Sequence, residues 1–104
     1  MFYRATKHNF DQDRYDDILA WGETVRSTIE GIDGLLFVDT FVSAPGEGFI
    51  VGGWESEEAF NTASEAIASV FADMAQFLTS EPHTYTGTVD LAYGRNRAAA
   101  GIPS

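Results

Sequence analysis

The chain has 104 residues, 44% of them hydrophobic and 13% aromatic, with 6 basic against 16 acidic side chains and a formal net charge of −10. Frequent apolar residues and the absence of cysteine exclude a disordered chain, a disulfide scaffold and a thiolate site, and the length suits one domain. The acidic charge disfavours nucleic acid and anionic membranes as partners, and no membrane span or signal peptide is predicted, so we expect a soluble cytoplasmic protein.

The first half of the chain predicts a strand, a helix and a second strand. Residues 2–8 start with aromatics and mix polar with apolar positions, which favours a strand. Capping residues at 9–13 precede a stretch at 14–30 whose apolar side chains recur three, four and seven positions apart, as on one helical face. Glycines at 31 and 34 end this helix, and the apolar run at 35–42 is the strongest strand signal in the chain.

The second half predicts a hairpin, a long helix and a last strand. Turn residues at 43–48 join the second strand to a third at 49–55. Ser56 is a good N-cap for an amphipathic helix that carries apolar residues from 60 to 78, about six turns. A proline then ends the helical region, and residues 83–93 are rich in Thr, Tyr and Val, as is typical of a strand.

The predicted order β-α-β-β-α-β is the ferredoxin-like arrangement of an α+β domain. We therefore expect a four-stranded antiparallel sheet in the order 4-1-3-2, with both helices on one face. Residues 1–94 are predicted to form this single domain. Residues 95–104 are small and polar and are predicted to form a flexible C-terminal tail.

The central hairpin predicts a second subunit. A loop centred on Pro45 and Gly46 makes the numbers of paired residues sum to 91, which sets Asp39 opposite Gly52. Both faces of the hairpin are then mostly apolar, and one layer of helices covers only one of them. Because monomers rarely expose so large an apolar patch, we expect a homodimer through the open sheet face.

The chain resembles the dimeric α+β barrel proteins, most of all the antibiotic biosynthesis monooxygenase group. The resemblance rests on the run Gly31-Ile32-Asp33-Gly34 before an apolar strand and on the stretch Trp54-Glu55-Ser56-Glu57-Glu58-Ala59-Phe60 after the hairpin. It implies a homodimer with a small-molecule pocket between sheet and helices. Monooxygenases of this group oxidise electron-rich aromatic polyketides with dioxygen and without metal or flavin, whereas other members of the superfamily degrade haem, isomerise lactones or have no assigned activity.

The sequence departs from this family at one helix. Many relatives carry a histidine early in the second long helix, where this chain has Asn61-Thr62-Ala63-Ser64. Haem-degrading relatives use a helix histidine as the axial ligand, and neither predicted helix contains one. We therefore expect no haem and no other cofactor.

The two histidines are the candidate catalytic residues. His8 ends the first strand and His83 begins the fourth, so antiparallel pairing of these strands puts both at one end of the sheet. Either can act as a general base near neutral pH, or the pair can contribute two metal ligands. No HxH or HxxxH spacing supports a metal, so none is predicted. The plain alternative is two solvated side chains at strand ends.

Arg4 and Asp39 are the candidate polar anchors for a substrate. Asp39 is the odd charged residue of an apolar strand, and a buried carboxylate must be hydrogen-bonded or paired. Arg4 can reach it across Gly52 if the two share a face. The pair then serves structure or a dimer interface, or it binds a substrate oxygen in an apolar pocket.

Aromatic residues are candidates for the walls of a pocket that takes a flat, small hydrophobic or aromatic ligand, although aromatics at these spacings more often belong to a core. The candidates are Trp54, Tyr85, Phe37 and Phe71.

Two functions remain open at this point. One is a cofactor-independent monooxygenase in which His83 or His8 removes a proton and Arg4 or Asp39 orients the oxygens. The other is a non-catalytic dimer that binds or sequesters a small hydrophobic molecule. They differ in whether an acid–base group points into the cavity.

Overall fold

The computed structural model describes residues 1–94, which form four strands and three helices. The strands are β1 (Phe2–Asn9), β2 (Leu35–Ala44), β3 (Glu47–Trp54) and β4 (His83–Thr88). The helices are α1 (Tyr15–Glu30), α2 (Glu57–Thr62) and α3 (Ser64–Met74), with 3₁₀ turns at Gln12–Arg14 and Ala75–Phe77. None of the helices in these residues is long and apolar enough to cross a membrane. The tail predicted at 95–104 lies outside the described residues.

The sheet confirms the predicted topology. Its order is β2-β3-β1-β4, and every neighbouring pair is antiparallel. The first strand therefore lies at the centre, hydrogen-bonded on both sides, while β2 and β4 are the edges. Because side chains alternate along a strand, β1 sends every second residue toward the helices and the others to the open face.

Local capping chemistry explains where two helical segments begin. The Asp11 carboxylate accepts a hydrogen bond from the Asp13 backbone N–H at 3.0 Å, at the 3₁₀ turn before α1. The Ser56 hydroxyl accepts one from the Ala59 N–H at 3.1 Å, at the start of α2. Both caps lie in the segments that the sequence marks as helix starts.

The hairpin register differs by one residue from the predicted register. Ala44 pairs with Glu47 around the expected turn, but Ser43 is an extra residue in β2, so Val42 pairs with Gly48. From Val42 to Phe37 the paired numbers sum to 90, and Asp39 lies opposite Val51 instead of Gly52. A bulge of this kind inverts the faces of the side chains beyond it, here as far as Phe37, because a second irregularity follows before Leu35, which pairs with Trp54. The predicted contact of Asp39 with Gly52 is therefore wrong.

The long second helix is also interrupted. It divides at Ala63 into α2 and α3 and ends in the second 3₁₀ turn. The Thr62 hydroxyl donates a hydrogen bond to the Glu58 carbonyl at 2.9 Å, a contact that tends to bend helices. The neighbouring residues Asn61 and Ser64 are weak helix formers, so this polar run is where the helix breaks.

The last strand is shorter than predicted. It ends at Thr88, which pairs with Phe2, the first residue of β1. One more backbone bond joins the Val89 N–H to the Met1 carbonyl at 2.9 Å. Residues 89–93 are not part of β4.

The layer between sheet and helices is packed at its two ends. At one end Phe2 and Trp54 are buried against Phe60, with ring centroids 5.2 Å and 5.5 Å from that ring. At the other end Phe10 and Phe77 are buried. We call these the Trp54 end and the Phe77 end. No residue of α1 is buried between them, so the helix is held away from the middle of the sheet.

Substitution of alanine for two different glycines should change the stability of the fold in opposite directions. Gly34 has φ +81°, and an added Cβ would lie 2.5 Å from the Ala59 Cβ. Gly34→Ala should lower the free energy of unfolding by about 2–4 kcal/mol, from left-handed strain plus the steric clash.

Gly22 lies inside α1, and an added Cβ would meet nothing within 4 Å. Gly22→Ala should raise stability by about 0.5–1 kcal/mol. Urea denaturation measures both, and equal effects would contradict this account.

Candidate functional site

The space between the two packed ends is a cavity of about 660 Å³. Pockets for small molecules usually lie between about 300 and 1,000 Å³ and are mostly apolar, so this volume suits a ligand of several rings. Strands β1, β2 and β3 form one wall, and α1 and α3 form the other. Much of the lining is aliphatic: Ile18, Val25, Ile29, Ile50, Ile67 and Val70.

Two glycines help to keep this space open. Gly22 of α1 lines the cavity at the middle of the helix, where an interior glycine is otherwise unfavourable. Gly52 of β3 lines the opposite wall beside Arg4. Neither position carries a side chain that would fill the cavity between sheet and helix.

The Arg4 side chain extends into the cavity from β1, a central strand of the sheet. Its guanidinium carbon lies 4.1 Å from the centroid of the Phe71 ring, a cation–π geometry. The side chain is half-buried, and this burial lowers the pKa of Arg4 below its ordinary value. Within residues 1–94 it makes no ion pair and its guanidinium donates no hydrogen bond.

The acidic residues that border the cavity do not neutralise Arg4. Glu23 and Glu30 both lie on α1, and both are paired with Arg26, at 2.8 Å and 3.2 Å. Hydrogen bonding to Arg26 lowers the pKa of Glu23. These three side chains are a self-contained, exposed cluster on the helix.

His8 lies on the same face of β1, toward the Phe77 end. Its ring crosses Gly48, where an added Cβ would lie 3.0 Å from the imidazole, and it is 5.8 Å from the Phe10 ring. Its Nδ1 is buried without a hydrogen-bond partner among residues 1–94. Burial lowers the pKa of His8 below its ordinary value of 6.5, and the backbone of Thr6 offsets this only in part. The ring is therefore neutral at pH 7, the form that can accept a proton.

Thr6 separates the two candidate groups on the cavity wall. It is 1% exposed, and its hydroxyl is 3.1 Å from the Thr84 hydroxyl, so its hydrogen-bonding capacity is used within the sheet. Arg4 and His8 are four residues apart on an extended strand, which separates their Cα atoms by about 13 Å. A ligand that touches both must be elongated.

The aromatic candidates divide between the two faces of the sheet. Trp54 and Phe71 line the cavity, and Trp54 closes the Trp54 end. Phe37 borders the cavity, but its ring lies over Gly53 on the open face, 5.5 Å from the Tyr3 ring. Of these, only Trp54 and Phe71 present rings to a ligand in the cavity.

Three other candidates lie on the open face, away from the cavity. His83 pairs with Lys7 and Tyr85 pairs with Ala5, so both alternate to the side opposite Arg4 and His8. Tyr85 is 70% exposed. Asp39 shares that face because of the bulge at Ser43. The two histidines do share one end of the sheet, as expected, but they point to opposite sides of it.

The open face itself carries an apolar patch. Phe41 is 54% exposed and stacks on Phe49, with ring centroids 5.0 Å apart. We define the open-face patch as the apolar residues that alternate to this side: Tyr3, Ala5, Phe37, Phe41, Phe49, Val51 and Tyr85. Lys7 and Asp39 border it with opposite charges, and neither makes an ion pair within residues 1–94.

Sequence reasoning missed the residues that make the cavity. Gly22, Gly48 and Thr6 were not candidates, although they give the site its space and orientation. A signal existed for Gly22, since it occupies an inward position in an amphipathic helix where a larger apolar side chain is expected. In the described part of the chain no three His, Asp or Glu side chains cluster closely enough to hold a metal ion.

No family model matches the chain, and no curated protein matches its sequence. A monooxygenase from the gene ActVA-Orf6 of Streptomyces coelicolor, in complex with the ligand nanaomycin D, has a TM-score of 0.71 at 18% identity, over 90% of this chain and 91% of that one. A protein described as an antibiotic biosynthesis monooxygenase has a TM-score of 0.71 at 14% identity, over 88% and 100%.

A dimeric ferredoxin-like protein from an uncultured marine organism matches equally well, with a TM-score of 0.72 at 16% identity, over 90% of this chain and 91% of that one. At sequence identities this low, the TM-scores establish a shared fold and nothing more. The predicted resemblance to dimeric α+β barrel proteins, and to the antibiotic biosynthesis monooxygenase group, is confirmed as a likeness of fold.

The buried position of His8 predicts a pH dependence of stability. Because the pKa of His8 is lower in the folded chain, the unfolded chain takes up this proton first as the pH falls below about 6.5. The stability contribution is present above that pH and is lost as the pH falls through the folded pKa. Urea denaturation between pH 7.5 and 5.5 should show this slope, and His8→Gln should reduce it. Identical slopes in the two proteins would contradict a half-buried, neutral His8.

Proposed function

We propose that the chain binds an elongated, largely apolar small molecule in the sheet–helix cavity and oxidises it with dioxygen without a cofactor. The observation that carries this proposal is the pair of half-buried groups on one strand, a neutral His8 and an Arg4 without an ion-pair partner in residues 1–94, facing a cavity with mostly aliphatic walls. The likeness of fold to a monooxygenase that holds nanaomycin D supports it.

The reaction needs a base and a place for developing negative charge. In the proposed step His8 accepts a proton from an activated CH₂ group of the substrate, and Arg4 stabilises the resulting enolate or phenolate oxygen. The carbanion transfers electrons to dioxygen and forms a hydroperoxide on the same carbon. Loss of water then leaves a carbonyl group, so that CH₂ and O₂ become C=O and H₂O.

The second candidate function is binding without catalysis. The observation that favours it is that several of the other polar groups around the cavity are already engaged. Thr6 is bonded to Thr84, and Glu23 is bonded to Arg26. The buried His8 Nδ1 also has no side-chain partner among residues 1–94 that would orient the ring as a base. A cavity with one weakly supported base suits sequestration of a hydrophobic molecule.

Oxygen consumption with polyketide-like anthrones and phenols separates the two functions. If His8 is the base, His8→Gln should lower turnover by about 10²–10⁴-fold while ligand binding, measured by thermal shift, changes little. His83→Gln is the matched control, because His83 lies on the open face, and it should leave turnover unchanged. Binding without oxygen uptake by the wild-type protein would support the sequestering function and overturn the oxygenase.

We further propose that the open-face patch joins two copies of the chain. A second copy is the fitting occupant because the border of the patch is self-complementary. Lys7 in β1 and Asp39 in β2 lie on either side of β3. A two-fold axis that crosses β3 between Phe49 and Val51 sets each Lys7 against the Asp39 of the other copy. The same axis centres the contact on apolar side chains, as in stable interfaces.

Charge reversal tests this pairing. Lys7→Glu and Asp39→Lys each set like charges against each other twice in a homodimer, and each should weaken dimerisation by at least about tenfold. Mixing the two variants restores opposite charges at both contacts, so a heterodimer should form in preference to either homodimer. Light scattering and native mass spectrometry measure this against a protomer of 11.4 kDa. A wild-type monomer at micromolar concentration, or no preference for the heterodimer, would contradict the arrangement.

A further inference from the structure

Arg4 is an unusual cation for this protein. The chain has a net charge of −10, with acidic side chains to pair every basic one. Of the other arginines in residues 1–94, Arg14 pairs with Asp17 and Arg26 pairs with Glu23. Arg4 has no carboxylate within these residues, although it is half-buried beside apolar groups.

The immediate surroundings of Arg4 give its guanidinium an aromatic contact but no hydrogen-bond acceptor among the described residues. The guanidinium carbon lies 4.1 Å from the centroid of the Phe71 ring. A guanidinium also carries five N–H donors in a planar fork, and none of them meets an acceptor in the described residues. Withdrawing such donors from water is unfavourable unless an acceptor replaces the lost hydration. Arg4 and its paired residue Gly52 both line the cavity, so a ligand group bound there is the available acceptor for the fork.

We infer that the cavity selects apolar molecules that carry a single anionic group (a carboxylate, sulfonate or phenolate), with Arg4 as the residue that binds this group. This inference rests on the proposed ligand cavity and names the class of molecule that it takes. The oxyanion accepts hydrogen bonds from the edge of the guanidinium, which pairs well with planar anions. The apolar body of the ligand then lies along β1 toward His8, against the aliphatic wall of α1.

The chain's acidity makes this selectivity a demanding prediction. A surface with a net charge of −10 repels anions at long range. If anionic ligands nevertheless bind better than neutral ones of the same shape, the preference must arise from a local positive charge. In the described part of the chain, Arg4 is the cavity-lining cation without a carboxylate partner.

A pair of fluorescent probes tests the inference. 8-Anilinonaphthalene-1-sulfonate and N-phenyl-1-naphthylamine share one ring skeleton and differ in the sulfonate group. The wild-type protein should bind the sulfonate at least about tenfold more tightly. Arg4→Met should weaken sulfonate binding by about 10–100-fold and change binding of the neutral probe by less than about threefold. Arg4→Lys, which keeps the charge but loses the fork, should fall between wild type and Arg4→Met for the sulfonate.

Two further variants act as controls. Arg14→Met makes the same change of side chain and net charge at another arginine that stacks on a ring, 4.5 Å from the Phe77 centroid and outside the cavity. It should leave the binding of both probes unchanged. Gly22→Phe fills the cavity from α1 and should weaken the binding of both probes by the same factor. This result would show that the probes bind in the cavity and not on the open face.

The outcomes separate this inference from the proposed function. If both probes bind in the cavity with equal affinity, or if Arg4→Met weakens them equally, the anion inference is overturned and the ligand cavity stands. If neither probe binds, or if Gly22→Phe changes nothing, the ligand cavity itself is overturned. Should Arg4→Met fail to fold by circular dichroism, Arg4→Lys decides, because loss of discrimination between the probes must still follow the loss of the fork.

Discussion

The two packed ends of the sheet–helix layer are the constraint on which the rest of the molecule depends. Aromatic rings pack the layer at both ends, against Phe60 of α2 at the Trp54 end and against Trp21 of α1 at the Phe77 end, while no residue of α1 is buried between them. The middle positions of β1 then face a hollow and not a core. A cavity made in this way is preformed, so a ligand need not separate the packed layers to enter it.

The sequence predicted the architecture well because its signals are local. Alternation, helical periodicity, the Ser56 cap and the turn at Gly46 each act within a few residues, and together they determine order and topology. The extra residue at Ser43 left no comparable signal, because bulges depend on how two strands twist against each other. The same is true of the break at Ala63, where a side-chain hydrogen bond overrides a continuous apolar pattern.

The sequence predicted which types of residue could form the candidate site, but not which of them face the cavity. Chemistry pointed to the few titratable residues near strand ends, and Arg4 and His8 do face the cavity. Three other candidates do not face it: His83, Asp39 and Tyr85. One shift of register, or one step along the strand, transfers a side chain from one face of the sheet to the other. Glycine positions were missed because they contribute space, which composition does not record.

The bulge at Ser43 couples the two faces of the sheet. If Ser43 paired regularly with Gly48, the β2 side chains on the cavity face and those on the open face would be exchanged, with no substitution in the strand itself. With Ser43 bulged, Val38 lines the cavity and Asp39 faces outward. In the regular register Asp39 would lie opposite Gly52, and its carboxylate would enter the cavity beside Arg4 and neutralise it. The charge inside the cavity and the composition of the open face are therefore linked through the pairing of one residue in the hairpin.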